Sequence, residues 1–125
     1  MAPLQYAELM ARGYLMTIFL EGAVLFLGLR DLTVRQKLFL SFWLTAITYP
    51  FVWLVYPCLF DMRTDRVAYL WAAETFAPLA ECLAFRFAFA SHLPWRSGTL
   101  WCSFAVITAA NLTSYIVGAL VPWYR

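Results

Sequence analysis

The sequence predicts an all-α integral membrane protein, a bundle of four transmembrane helices in a single domain over residues 1–125. Hydrophobic residues make up 64% of the chain and charged residues 13%, with a mean hydropathy of +0.72, whereas soluble domains are about half apolar and a quarter charged. A chain of 125 residues accommodates four spans of about 20 residues with short connections. The short alternating segments of a membrane β-barrel are not seen. This composition excludes a water-soluble globule.

Charged connections separate the four predicted spans. The second and fourth spans are free of charge, the first contains Glu21, and the third contains Glu74, Glu81 and Arg86. The predicted spans are 13–29, 38–60, 67–90 and 100–123. Helix caps are expected from the side chains that follow each connection, namely Thr33 or Asp31, Thr64 or Asp65, and Ser97.

The membrane and the orientation are weakly specified. Basic residues divide nearly evenly between the two sides, and only their number directly after the first span favours both termini outside the cytoplasm. Because the basic residues are balanced, two copies of the chain inserted in opposite orientations could also form a homodimer. Few lysines and short loops indicate a bacterial inner membrane. The expected partners are the lipid bilayer and either further copies of the chain or other subunits of a membrane complex.

A pattern recurs in the two halves of the chain. Glu21 and Glu81 lie in similar segments, and segments 45–49 and 111–115 share the order polar-x-x-hydroxyl-Tyr. This predicts two parallel two-helix repeats, 1–62 and 63–125, related by an axis along the membrane normal. Identity between the halves is slight, so a chance similarity is the alternative.

Polar residues, accompanied by Pro50 in the second span, lie near the bilayer midplane in all four predicted spans. They are Glu21 in the first, Thr48, Tyr49 and Pro50 in the second, Glu81 in the third and Asn111 in the fourth, with Glu74 nearer one end. An ionised carboxylate at this depth costs about 2.5–3.5 kcal/mol on insertion scales, so each must face the bundle interior, be protonated or be paired.

The second and third predicted spans contain prolines, and the third also contains a row of alanines. Pro50 and Pro78 are expected to kink their helices, and Pro57 frees the carbonyl of Trp53, because proline lacks an N–H. Freed carbonyls at membrane depth need a partner from protein or from water in a cavity. A seam of alanines predicts close approach of another backbone to the third span; its members are Ala73, Ala77, Ala80, Ala84 and Ala88.

These residues predict a site for a proton, a cation or a small cationic solute. Two carboxylates close together in a low dielectric cannot both stay ionised easily. Glu21 and Glu81 would therefore share a proton or hold a cation, with Asn111, Thr48 and Tyr49 lining the site and Glu74 nearby. The alternative is that the same residues are interhelical hydrogen-bond glue in an accessory or assembly subunit of a larger membrane complex.

Other functions find little support in the sequence. The motifs of zinc proteases, serine hydrolases and phosphate-binding loops are not seen, and the single histidine, His92, falls in a connection. We therefore expect no enzyme activity and no cofactor, and the sequence names no metal. The net charge of +2 gives no basic stripe for nucleic acid. Three cysteines without a C-x-x-C pair indicate neither a disulfide framework nor a zinc site.

The chain resembles the small multidrug-resistance transporters in size, in helix number and in the position of Glu21. This resemblance implies proton-coupled export of hydrophobic cations by a dual-topology dimer, with Glu21 as the shared proton and substrate site. The chain departs from that family in carrying Glu74 and Glu81 in the third span. The fluoride channels are similar in length and layout but offer no matching polar track.

Overall fold

The computed structural model describes residues 3–61, 63–89 and 91–121, and all regular structure within these ranges is helical. The predicted all-α class is confirmed. Helix α2 continues through a π-helical segment, here called the π segment, into the single turn α3. The elements are α1 (Pro3–Gly28), α2 (Val34–Pro50), the π segment (Phe51–Val55), α3 (Tyr56–Leu59), α4 (Arg66–Ala88) and α5 (Gly98–Leu120).

Three helices are long and apolar enough to cross a membrane: α1, the continuous unit Val34–Leu59 and α5. The fourth long helix, α4, has 23 residues and therefore a length of about 35 Å, but it carries Glu74, Glu81 and Arg86. Among the described residues, three of the four predicted spans are thus compatible by length and composition with crossing a membrane.

The four long helices form a ring with alternating directions. Helix α1 packs against α2 and α5, and α4 packs against the same two helices, so α1 and α4 are diagonal partners across the bundle. We call the end at which α1 begins and α5 stops the upper end. The end that carries residues 29–33 and 91–97 is the lower end.

Helix starts follow the predicted caps at two of three places. The Thr33 hydroxyl accepts a hydrogen bond from the Gln36 N–H and the Gln36 side chain accepts one from the Thr33 N–H, which forms a capping box at the start of α2. Ser97 accepts from the Leu100 N–H at the start of α5. Asp65 is the first flanking residue of α4 but its side chain makes no capping bond; it accepts instead from the Asp61 N–H at 3.4 Å.

The π segment begins directly after Pro50. Two tyrosine hydroxyls donate to its carbonyls: Tyr6 of α1 to Trp53 O at 2.6 Å and Tyr69 of α4 to Val52 O at 3.1 Å. The Trp53 carbonyl is the one that Pro57 was predicted to free, and a protein side chain satisfies it. Helix α4, by contrast, stays α-helical through Pro78.

The apolar core occupies the lower half of the bundle. Leu25, Leu44, Phe85 and Ile107 form its centre, one from each long helix, and all are almost fully buried. Large apolar side chains are exposed on the outside of the bundle, such as Phe19, Leu27, Trp71, Phe87 and Leu120. An outer surface of this kind is compatible with lipid as the surrounding solvent.

Gly28 lies where α1 packs closely against α5. A Cβ at this position would lie 2.5 Å from Val106 Cγ1, closer than side chains pack. At Gly22 a Cβ would lie 3.2 Å from the Ser41 side chain, which is tight but milder. The alanine seam of α4 extends from Ala73, which is buried, to Ala88, which is exposed. At Gly28, a side chain of α5 thus approaches the backbone of α1 closely.

We expect Gly28→Ala to destabilise the protein by about 1–3 kcal/mol, the usual cost of overpacking. Alanine is intrinsically the better helix former by about 1 kcal/mol, so a net loss reports the collision with Val106. Thermal unfolding in mild detergent measures it. Gly98→Ala is the control, because nothing lies within 4 Å of a Cβ there, and the added Val106→Ala should restore stability. Equal melting temperatures for the two glycine variants would contradict this account.

Candidate functional site: a buried pair of carboxyl groups

Two glutamates meet inside the bundle, just above the apolar core. Glu21 of α1 is 3% exposed and Glu81 of α4 is 2% exposed. Because α1 and α4 are diagonal partners, the two side chains approach from opposite corners of the ring. Buried polar groups are stable only when hydrogen-bonded, so the donors around each carboxyl decide what the pair can do.

Glu21 receives two hydroxyl donors, one from each neighbouring helix. The Thr45 hydroxyl of α2 donates to Glu21 Oε2 at 2.8 Å, and the Ser114 hydroxyl of α5 donates to Oε1 at 2.8 Å. Both carboxyl oxygens therefore have a partner.

Glu81 likewise receives two hydrogen bonds, one from α2 and one from α5. The Thr48 hydroxyl of α2 donates to Glu81 Oε1 at 2.9 Å, and the Asn111 amide of α5 donates to Oε2 at 2.7 Å. The structure thus brings together four of the predicted site residues: Glu21, Glu81, Thr48 and Asn111.

Thr45 and Ser114 also belong to the site. They were not predicted as site residues, although both are part of the recurring motif. Each lies three residues from a predicted member, Thr45 from Thr48 and Ser114 from Asn111. Residues three apart on a helix share a face. That spacing was the signal that could have placed them beside the carboxyl groups.

The four bonds follow the recurring pattern of the sequence. Thr45 and Asn111, which open the two matching motifs, each bind the glutamate of their own half of the chain. Thr48 and Ser114, the hydroxyl positions of the same motifs, each bind the glutamate of the other half. When α1 and α4 are aligned at Glu21 and Glu81, their buried positions also correspond. The matched buried pairs in α1 and α4 are Gly13 with Ala73, Glu21 with Glu81, and Leu25 with Phe85.

No basic side chain compensates these carboxyl groups within the part of the chain that the structure describes. The one ion pair there joins Arg12 and Glu8 on the surface. Arg86 of α4 lies instead with its guanidinium 5.1 Å from the centre of the Trp95 ring, and its Nε is buried without a hydrogen-bond partner. The two carboxyls are also close enough to repel each other if both were ionised. They rely on four neutral donors alone.

A cavity of about 770 Å³ fills the upper half of the bundle and reaches down to Glu21. Glu74, half-buried on α4, lies on its wall about 10 Å above Glu81. Arg66 stands at the upper end of α4 and also lines the cavity. Aromatic side chains form much of the remaining wall: Tyr6, Tyr49, Trp53, Tyr69 and Tyr115.

Tyr49, a predicted site residue, lines this cavity. Its hydroxyl donates to Met10 O at 2.9 Å, and the ring packs between Tyr14 and Trp53 with centroids 5.0 and 5.6 Å away. Its contribution to the site is an aromatic surface.

The apolar core closes the site from below. Leu25 and Phe85 lie four residues after Glu21 and Glu81, which places them about 6 Å further down. Below them a second cavity of about 830 Å³ opens at the lower end, lined by Phe85, His92 and Ser103 among others. Glu21 therefore faces the upper cavity, and a layer of apolar side chains separates the carboxyl pair from the lower one.

The hydrogen bond between Thr48 and Glu81 should show a measurable coupling in a double-mutant cycle with Thr48→Val and Glu81→Gln. We expect an interaction free energy on the order of 0.6 kcal/mol, with about 1.7 kcal/mol as the upper end for such bonds in membrane proteins. Unfolding in mixed micelles provides the measurement. Thr108→Val in the same cycle is the control, because Thr108 is exposed and its hydroxyl donates to Phe104 O rather than to a carboxyl group. A coupling equal to that of Thr108 would contradict the assigned bond.

Phe85→Ala should connect the two cavities, because the ring forms part of the separating layer. We expect proteoliposomes with this variant to lose an imposed pH gradient faster than those with the unaltered protein. Phe87→Ala, at a side chain that is 79% exposed, should behave as the unaltered protein does. Since Phe→Ala in a core costs about 3–5 kcal/mol, Phe85→Val provides a milder second variant. Folded Phe85 variants that hold the gradient as well as Phe87→Ala would disprove the barrier.

Comparisons of the chain with family models, with curated proteins and with solved structures found no match. The resemblance to the small multidrug-resistance transporters in size and in Glu21 stays a prediction.

Proposed function

We propose that this chain is a four-span membrane protein that binds and transports a proton, a cation or a small cationic solute at the Glu21–Glu81 pair. The observation that carries the proposal is a pair of fully buried carboxyl groups with neutral donors only, within the described part of the chain, at the floor of a cavity. The upper cavity is the route by which the ligand reaches the pair.

The burial pattern of α4 supports its assignment as the fourth span. Its charged side chains Glu74 and Glu81 point into the bundle, while apolar side chains are exposed on its outer face, namely Trp71, Leu79, Leu83 and Phe87. Its two neighbours, α2 and α5, are themselves long and apolar enough to cross a membrane. A helix that hides its acids and presents apolar side chains outward fits the same bilayer.

Electrostatics supports a positively charged ligand. Each ionised carboxylate at the centre of a bilayer costs about 2.5–3.5 kcal/mol or more, and four neutral hydrogen bonds offset only part of the cost for two. A proton or a cation removes the repulsion between Glu21 and Glu81. The surrounding hydroxyl and amide groups also contain oxygen atoms, which hard cations prefer as ligands.

The upper cavity has the size and lining for a small cationic solute. Its volume of about 770 Å³ lies within the range of about 300–1,000 Å³ for small-molecule sites. Tyrosine and tryptophan rings attract cations through their faces, and Glu74 adds a further carboxyl group to the wall.

The repeat supports a shared origin for the two halves of the site. Both the hydrogen bonds and the burial agree between corresponding positions of the halves, so a twofold axis along the bundle would relate 1–62 to 63–125. Under this proposal Glu21 and Glu81 are equivalent positions in two parallel units.

The second candidate function is that of an accessory or assembly subunit, and the same bonds favour it. Each of the four bonds joins α1 or α4 to α2 or α5, so the carboxyl groups connect all the long helices. In that case the polar residues stabilise the bundle and the partners are other membrane proteins. The mass of the particle extracted in mild detergent from a bacterial inner membrane, the predicted location, separates a homo-oligomer from a heterocomplex.

Reconstituted protein provides the test of transport. We expect proteoliposomes to take up protons, or the probe cation tetramethylammonium, at a rate that falls about tenfold or more in Glu21→Gln, because loss of a contact of about 1.4 kcal/mol is a factor of ten. Glu8→Gln is the matched control, since Glu8 is exposed and pairs only with Arg12.

Thermal unfolding of each variant must accompany the flux measurement. Glutamine keeps the shape and the acceptor oxygen of glutamate, so we expect both Glu21→Gln and Glu81→Gln to fold. Folded variants with unchanged flux or binding would overturn the transport proposal and favour the assembly role.

A further inference from the structure

We infer that the two carboxyl groups have different tasks: Glu21 exchanges its proton or cation with the cavity, while Glu81 stays protonated and is held in place by Asn111. The inference rests on the proposed function, because it names which member of the pair is the exchanging group. Three features of the geometry support it, and they concern access, hydrogen-bond donors and neighbouring charges.

Access differs between the two glutamates. Glu21 lines the floor of the upper cavity together with Asn111 and Ser114, whereas Glu81 is not among the residues that line the upper cavity or the lower one. A group that gains and loses a proton or cation needs a path to water or ligand. Of the pair, Glu21 is the member that has one.

The donors around Glu81 fix where its proton lies. The Asn111 amide nitrogen donates to Glu81 Oε2 at 2.7 Å and to Ile107 O at 3.0 Å, which uses both of its N–H groups. An amide nitrogen cannot accept a hydrogen bond. Glu81 Oε2 is therefore an acceptor in every state, and the proton of neutral Glu81 lies on Oε1. The Thr48 hydroxyl then accepts from Oε1 and turns its own proton to Leu44 O at 3.5 Å.

The donors around Glu21 can follow a change of its charge. Each hydroxyl has one proton and a second acceptor within reach: Thr45 can donate to Ser41 O at 3.2 Å and Ser114 to Asn111 O at 2.9 Å. When Glu21 is ionised both hydroxyls donate to it, and when it is neutral one of them turns to its carbonyl and accepts instead. Either oxygen of Glu21 can thus carry the proton without leaving a buried group unsatisfied.

The third feature is the set of electrostatic interactions between Glu21 and the other two acids of the bundle. Glu81 and Glu74 of α4 both interact electrostatically with Glu21. Two buried carboxylates cannot both stay ionised easily, so with Glu21 ionised by access to the cavity, Glu81 keeps its proton. Asn111 is then a positioning residue that keeps the shared site in one arrangement. The other titratable groups facing the cavity are Arg66 and Tyr69 of α4, Tyr49 of α2, Tyr115 of α5 and Tyr6 of α1.

Infrared spectroscopy of protein labelled with ¹³C-glutamate tests the inference, because the label selects the carbonyl stretch of the four glutamates. We expect one protonated carboxylic acid band that persists from acid to mildly alkaline pH and is lost in Glu81→Gln. A second band should disappear as the pH rises and be lost in Glu21→Gln. Glu74→Gln identifies the contribution of the third buried acid.

Two further variants separate positioning from a general loss of structure. Asn111→Ala should shift the frequency of the persistent band, since it removes the donor to Oε2, whereas Thr45→Ala should leave that band in place. A persistent band lost in Glu21→Gln, or no protonated band at neutral pH, would overturn the inference. A persistent Glu81 band in a protein without flux would keep the inference and remove the transport proposal.

Discussion

The hydrogen bonding of two buried carboxyl groups is the constraint on which the rest of this structure depends. Each long helix contributes either a carboxyl group or its donors, and the donors on α2 and α5 serve both acids. Removing one partner would leave a buried polar group unsatisfied at a cost of about 1–3 kcal/mol. The rotation of every helix about its own axis is therefore set at this level. The apolar layer below and the cavity above take their positions from it.

Much of the fold and part of the site could be predicted from the sequence. Hydropathy located four long helices, the caps Thr33 and Ser97 marked two starts, and equal depth brought Glu21 to Glu81. Helix α1 nevertheless begins at Pro3 rather than near residue 13, because its first turns are polar, and hydropathy detects apolar length rather than helix.

Contacts between distant side chains were not predictable. The π segment receives hydroxyls from Tyr6 and Tyr69, and Gly28 approaches Val106 closely. Both features depend on how each helix is rotated about its axis, and the sequence pattern of a single helix does not specify that rotation relative to its neighbours.

The two halves agree at the carboxyl pair and diverge above it. When Glu21 is aligned with Glu81, the counterpart of Glu74 in the first half is Tyr14. The Tyr14 ring packs against Phe42 and Tyr49 with centroids 6.1 and 5.0 Å away. One corner of the upper half is thus filled by packed rings, while the diagonal corner presents a half-buried acid to the cavity. The upper half of the bundle is therefore less symmetric than the carboxyl pair below it.

The π segment connects three helices at the mouth of the upper cavity. Its carbonyls at Val52 and Trp53 receive hydroxyls from opposite corners of the ring, from α4 and α1. π-Helical structure is rare and occurs mostly as a single turn inside an α-helix, as it does here. Tilting of either tyrosine-bearing helix would pull on the same backbone stretch and so be felt by the other. The width of the upper end therefore depends on three helices together: α1, α4 and the unit that contains the π segment.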